Sequence, residues 1–262
     1  MTITEAGDAA AARQMLTRAS LAEGDDILTA SWTAGDGLTY CNLSRSNPST
    51  YNIYSGSLTA ASTATTSQFT GNVYCFAGDY LAVVYPATTF ENNDRYTISL
   101  TGQDGTLSRL ATNYHYVFGK ATVTEVTETT ATATMPKMKS LLTVCKFSFV
   151  DKNTNAVIPI KTLSISYGGS GSDAGTYPQS ATVAIGANTS QADVHATGVA
   201  SNSPLLLEGS GEAFYVALLP TAAQSTFNFT VTNASGTYTG TAKATLVEGE
   251  YVVATGLKLT KQ

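Results

Sequence analysis

The sequence predicts an all-β protein of two consecutive sandwich domains. Three observations carry that expectation. Short runs of alternating apolar and polar residues recur along the chain, separated by Gly, Pro and Asn turns, with almost no stretch of helical period. Charged residues make up only 13% of the chain, against about 25% in typical globular proteins, and 42 Thr and 24 Ser take their place. β-branched Thr favours strands and supplies a polar outer face without charge. Finally, 262 residues exceed the usual single-domain size and fit two cores of roughly 110–130 residues each, for which sandwiches suit better than barrels.

Taken in order, residues 1–26 are small, polar and Ala-rich, and read as a flexible N-terminal segment. Ala9 to Arg18 has the composition for two helical turns, but no core face to hold them. Texture changes at Asp26: Ile27–Trp32 reads as a strand, Gly35-Asp36-Gly37 as a tight turn and Leu38–Cys41 as its return. A Ser/Thr/Ala-rich spacer over 55–68 precedes expected strands at Gly71–Phe76 and Asp79–Tyr85, the second stopped by Pro86. Arg95–Leu100 is a strand, closed by Gln103-Asp104-Gly105, whose Asp-Gly pair suits a hairpin turn. Leu107–Tyr116 is the one internal segment with room for a helical turn, and Ala121–Val126 and Thr130–Met135 return to alternation.

The domain boundary is expected near Pro136, giving domains 27–138 and 139–262. Met135-Pro136-Lys137 opens into Leu141, Cys145, Phe147 and Phe149, set against Lys146 and Ser148, so one face meets a core; Leu142 and Val144 indicate cover on both faces at the start. One more strand of a single large sandwich is the alternative. Downstream, Leu163–Tyr167, Ala181–Ile185, Ala213–Leu219, Phe227–Thr232, Thr237–Ala244 and Val252–Thr260 read as strands, with Gly168–Gly175 and Asn233–Gly236 as loops.

Several functions find no motif. A net charge of −5 without a basic stripe argues against nucleic acid. Cys41, Cys75 and Cys145 form no C-x-x-C pair and lie far from His115 and His195, so buried free thiols are expected rather than a disulfide framework, zinc site or cofactor. No run approaches 18 apolar residues, and the first residues lack the features of a signal peptide, so the protein is cytosolic or its export signal lies upstream. Gly169–Ala174 matches G-x-G-x-x-A, but Gly175 and Pro178 forbid the helix that a dinucleotide site needs. Acidic residues such as Asp79, Asp94 and Asp104 sit singly at turns, so no enzyme is expected. Trp32 and Tyr51, Tyr54, Tyr167 and Tyr177 could stack on sugar rings, although core burial is the more ordinary fate of Trp32.

The order of Ile27–Trp32 with its Gly-Asp turn, Phe69–Tyr74, Asp79–Pro86, Leu141–Phe149 and the closing Leu246–Tyr251 resembles the fimbrillin-like family of Bacteroidales surface proteins, pilins of type V fimbriae and their relatives, along residues 27–262. The resemblance implies transthyretin-like sandwiches, export as a lipoprotein, trimming by an arginine-specific protease and polymerisation by strand exchange. Carried onto this chain, trimming falls at Arg18–Ala19, with Arg13 competing. The candidate donor strand is Tyr251–Gln262, whose odd positions place Val253, Leu257 and Leu259 on one face, with Gly256 as a hinge. The family's lipid-bearing cysteine has no counterpart before Cys41, so a membrane anchor is expected only upstream of Met1. The expected function is thus a structural or adhesive subunit of a cell-surface fimbria, with other fimbrial subunits and a host or bacterial surface ligand as partners. A monomeric surface lipoprotein that binds glycan or protein is the alternative.

Overall fold

The protein was analysed as a computed structural model, which describes residues 1–5, 20–24, 28–46, 53–91 and 95–262. The strands, in chain order, are β1 (Thr2–Glu5), β2 (Ser20–Glu23), β3 (Leu28–Ser31), β4 (Gly37–Ser46), β5 (Ile53–Ala60), β6 (Gln68–Thr70), β7 (Tyr80–Tyr85), β8 (Arg95–Ser99), β9 (Val117–Val126), β10 (Ala131–Met135), β11 (Lys139–Ser140), β12 (Thr143–Asp151), β13 (Ile160–Tyr167), β14 (Ser180–Ala184), β15 (Ala196–Gly198), β16 (Leu205–Gly211), β17 (Ala213–Leu218), β18 (Ser225–Asn233), β19 (Gly236–Ala244) and β20 (Tyr251–Lys261). Among the described residues, one α-helix, α1 (Leu107–Asn113), and a 3-10 turn at Gln191–Asp193 interrupt them. The all-β class follows from the alternation that the sequence shows.

Two compact units form. The first comprises Met1–Thr97, His115–Leu141 and Thr182–Ala196; the second comprises Ile98–Tyr114, Leu142–Ala181 and Thr197–Gln262. Relative to a contiguous division at 138/139, residues 98–114 fall in the second unit, and 139–141 and 182–196 in the first; side-chain pins hold the two longer segments. In the first unit, Lys120 Nζ donates to the carbonyls of Ala187 (2.6 Å) and Thr189 (2.7 Å), and Lys139 Nζ to those of Ala192 and Val194. In the second, buried Gln103 accepts from the Ala217 amide (2.7 Å) and donates to the Leu100 and Ala217 carbonyls.

The first unit's sheet runs β10-β1-β6-β5-β4-β7-β9-β11, and β9 also pairs with β10, so the hydrogen-bonded circuit β1-β6-β5-β4-β7-β9-β10 closes on itself. Its core gathers Ile3, Trp32, Leu38, Tyr40, Leu58, Phe69, Leu81, Val83, Val123 and Met135. Trp32 packs edge-on against Phe69 (4.9 Å between centroids) and Tyr85 (5.4 Å).

In the second unit the order is β16-β13-β18-β19-β20-β12-β17. Phe147, Phe149 and Phe229 converge at its centre, with Phe147–Phe229 centroids 5.1 Å and Phe149–Phe229 centroids 5.6 Å apart. Leu141, Cys145, Phe147 and Phe149 are all buried, as are Leu142 and Val144, although Leu141 belongs to the first unit.

Four expectations change. Residues 2–5 and 20–23, inside the supposed flexible lead-in, are strands, β2 pairing with β3 from Ser20↔Ser31 to Glu23↔Leu28. The Ser/Thr/Ala spacer contains most of β5, in which Leu58 and Ala60 are core residues, and Gly56 makes room for the Tyr40 ring. Gly71–Phe76 is not a laddered strand. Side chains replace its ladder: the Tyr40 hydroxyl accepts from the Tyr74 amide, Asn42 Nδ2 donates to the Tyr74 carbonyl (3.0 Å), and Asp79 accepts from the Phe76 amide (2.9 Å). Asp104-Gly105 makes no hairpin. Asp104 instead accepts from Thr106, the N-cap of α1, and Gly105 (φ +78°) leaves room for the Phe214 ring, which a Cβ would meet at 2.3 Å.

Asp79 is 3% exposed. Arg45 Nε donates to both its oxygens at 3.0 Å, and Asn42 Nδ2 adds a second donor at 3.1 Å. Burial alone would raise its pKa, but these hydrogen bonds, the Phe76 amide and the Arg45 charge outweigh burial and hold it below the ordinary value of 3.8. A depressed folded-state pKa contributes stability that is complete above 3.8 and is lost as pH falls through the lower folded value. Asp79→Asn should therefore cost about 1–3 kcal/mol near pH 7. In urea titrations the gap from wild type should stay level down to about pH 5 and narrow below it; a pH-independent gap would contradict this. Phe147→Ala should cost about 3–5 kcal/mol in the second unit. A loss below about 1 kcal/mol would place Phe147 outside a packed core.

Candidate assembly site

β1 is short, yet both its edges are occupied. It pairs in parallel with β10 from Thr2↔Thr132 to Glu5↔Met135, and antiparallel with β6 from Thr2↔Thr70 to Thr4↔Gln68. Ile3 sits opposite Ala133 and Phe69 and is fully buried, a contribution of roughly 1.5–3 kcal/mol. Without β1 nothing joins β10 to β6, and the circuit opens to expose two strand edges and the core beneath them. A groove of about 220 Å³ between Asn72–Cys75 and Val126–Ala131 adjoins the start of β1 at Met1.

The trimming candidates Arg18 and Ala19, and the competing Arg13, lie outside the described residues. Their place in the sequence still matters, because a cut after Arg18 severs β1 from every other strand of the circuit.

The candidate donor strand β20 is internal rather than an edge. It runs parallel to β12 from Val144↔Tyr251 to Asp151↔Leu259 and pairs with β19 at Tyr238↔Lys261 and Thr239↔Thr260. The single face expected for its odd positions is broken at Gly256 (φ +67°), where Thr255 and Gly256 both stand opposite Ser148, whose hydroxyl accepts from the Gly256 amide (3.0 Å). This bulge flips the parity. Val252 and Ala254 before it and Leu257 after it line a cavity of 190 Å³ with Cys145, Phe147 and Phe229. Val253 is 39% exposed, whereas Leu259 is buried and Leu257 half-buried. Gly256 thus serves here as a bulge residue.

Among the aromatics with a possible stacking role, Trp32 and Tyr177 are fully buried and Tyr167 packs on Tyr177 and Phe227. Tyr51 lies outside the described residues, and Tyr54 stacks on Tyr74 at 4.0 Å. The Gly168–Ala174 loop borders an open depression and leads into extended chain, so it offers no helix N-terminus to a phosphate. Cys41 and Cys145 are buried and in no disulfide, and burial pushes the Cys145 thiol far up. Among the described residues no His, Cys, Asp and Glu cluster could hold a metal ion.

Comparison with known proteins fits this architecture. No family model and no curated protein matches the sequence. A solved structure from Bacteroides ovatus, to which a role in cell adhesion is attributed, superposes with a TM-score of 0.57 at 12% identity, covering 100% of this chain and 96% of that one. A streptococcal ancillary pilin (TM-score 0.34, 12% identity, 99% and 68% covered) and the shaft pilin of Lactobacillus rhamnosus GG (0.34, 10%, 100% and 97%) are more distant. The Bacteroides likeness extends over the whole chain and shows a shared fold.

β1 was hard to see in the sequence because one apolar residue in Thr-Ile-Thr-Glu carries its burial. Ile3→Ala should cost the first unit about 2–5 kcal/mol, read through the emission of Trp32 in urea, while Val253→Ala should stay within about 0.5 kcal/mol. Equal effects of the two would show that β1 is not seated as described.

Proposed function

We propose that this chain is a subunit of a cell-surface fibre of the fimbrillin-like kind, held assembly-incompetent by its own first strand. Cleavage at Arg18–Ala19 frees β1, and a strand from another subunit then takes its place between β6 and β10. The observation that carries this reading is the double pairing of β1. It closes the sheet circuit, yet it is joined to the other strands of that circuit only through the segment containing Arg13 and Arg18. An open pair of strand edges over an apolar core is costly in water, so the vacancy favours strand addition by a second molecule.

The donor in this proposal is β20, with buried Leu259 and half-buried Leu257 as its anchors and Val253 already on its outer face. Donation requires β20 to leave β12, and its sparse pairing with β19, two positions, leaves one side easily parted. Surface location, a lipid anchor and partnership with further subunits belong to the same reading.

Treatment with an arginine-specific protease should yield a new N-terminus at Ala19, and negative-stain electron microscopy should show filaments only after the cut. Deleting Leu257–Gln262 should abolish filaments while Trp32 emission reports a folded first unit. Filaments from uncut protein, or of normal length from the truncation, would rule out trimming or the donor role respectively.

A further inference from the structure

On the first unit, Tyr74 and Phe76 project outward from the extended segment 71–76, 48% and 46% exposed, while Val73 and Cys75 between them pack inward. Each ring is braced. Tyr54 stacks on Tyr74 (centroids 4.0 Å, planes 30° apart), and the Arg45 guanidinium lies over Phe76, 4.2 Å from its centroid. Tyr74 and Phe76 meet edge to face at 5.7 Å and 80°. Beneath them, Asp79 pins the Phe76 amide and Arg45 Nε, and Asn42 pins the Tyr74 carbonyl.

Incidental surface aromatics are neither grouped nor immobilised, and grouped exposed apolar rings on a soluble unit mark interaction sites. Rings whose rotamers and backbone are already fixed lose little entropy on binding. We propose that Tyr54, Tyr74, Phe76 and Arg45 form a binding platform for a neutral glycan. The chemistry of the platform selects that class. Arg45 and Asp79 neutralise one another across 3.0 Å, so the pair brings no net charge to the platform. Two phenol hydroxyls and the outer guanidinium nitrogens surround apolar ring surface, which matches a pyranose with its C–H face and its rim of hydroxyls. The planes of Tyr74 and Phe76, near a right angle, make a corner that receives a chain of sugars better than a flat aromatic system.

The test uses the full, untrimmed chain, so its outcome is independent of cleavage and strand exchange. Native gels cast with a mixed-linkage β-glucan, a xylan or an α-mannan should retard the wild-type protein in at least one case. Tyr74→Ala and Phe76→Ala should each weaken that retardation at least about tenfold, and Tyr74→Phe should keep most of it, with Trp32 emission unchanged in all three. The proposal is overturned if none of the three polymers retards the wild type, or if the Tyr74→Ala, Phe76→Ala double variant is retarded like wild type. Binding of a proline decamer in place of every polymer would assign the face to peptide and overturn it equally.

Discussion

The pairing of β1 with β6 on one edge and β10 on the other is the constraint on which the first unit depends. A strand edge presents a row of unsatisfied amides and carbonyls, and a sheet curled round a core has no edges only when its circuit is complete. Here completeness rests on four residues. Ile3 fills the core position between Ala133 and Phe69, and the remaining paired positions are Thr70, Thr132, Thr134, Gln68 and Met135. Backbone pairing and one buried side chain thus carry the closure, and the proposed exchange asks only that another strand supply the same two.

Most of the framework was legible in the sequence because alternation is a strong signal wherever large apolar residues carry it. Thr143–Phe149, Leu163–Tyr167, Phe227–Thr232 and Tyr80–Tyr85 fall in strands for that reason. Where Thr, Ser and Gly carry the strand, the signal fades: among the described side chains, Leu58 and Ala60 are the buried residues of β5 and Ile3 that of β1. Both are fixed by non-local pairing that no local window contains.

Parity was a second blind spot. One glycine at 256 turns the inward set of β20 from even to odd positions, and the sequence shows a uniform alternation across it. Segment 71–76 shows the converse: it alternates like a strand, but Tyr40, Asn42 and Asp79 supply side-chain partners in place of a ladder. The Tyr74 and Phe76 platform follows from that substitution, because a laddered strand would have placed its outward rings among neighbouring side chains. Tyr54 was visible as a candidate for stacking; its partner was hidden in what read as a sheet strand. The trimming site, in contrast, rests on family resemblance and on its position after β1.

Amide hydrogen exchange reads directly whether β1 is a removable closure. Amides of Gln68–Thr70 and Ala131–Met135 should be protected in the intact chain, exchange rapidly in the trimmed monomer and regain protection in the filament. Protection of both segments that persists in the trimmed monomer would contradict the account, since the barrel would then close without its first strand.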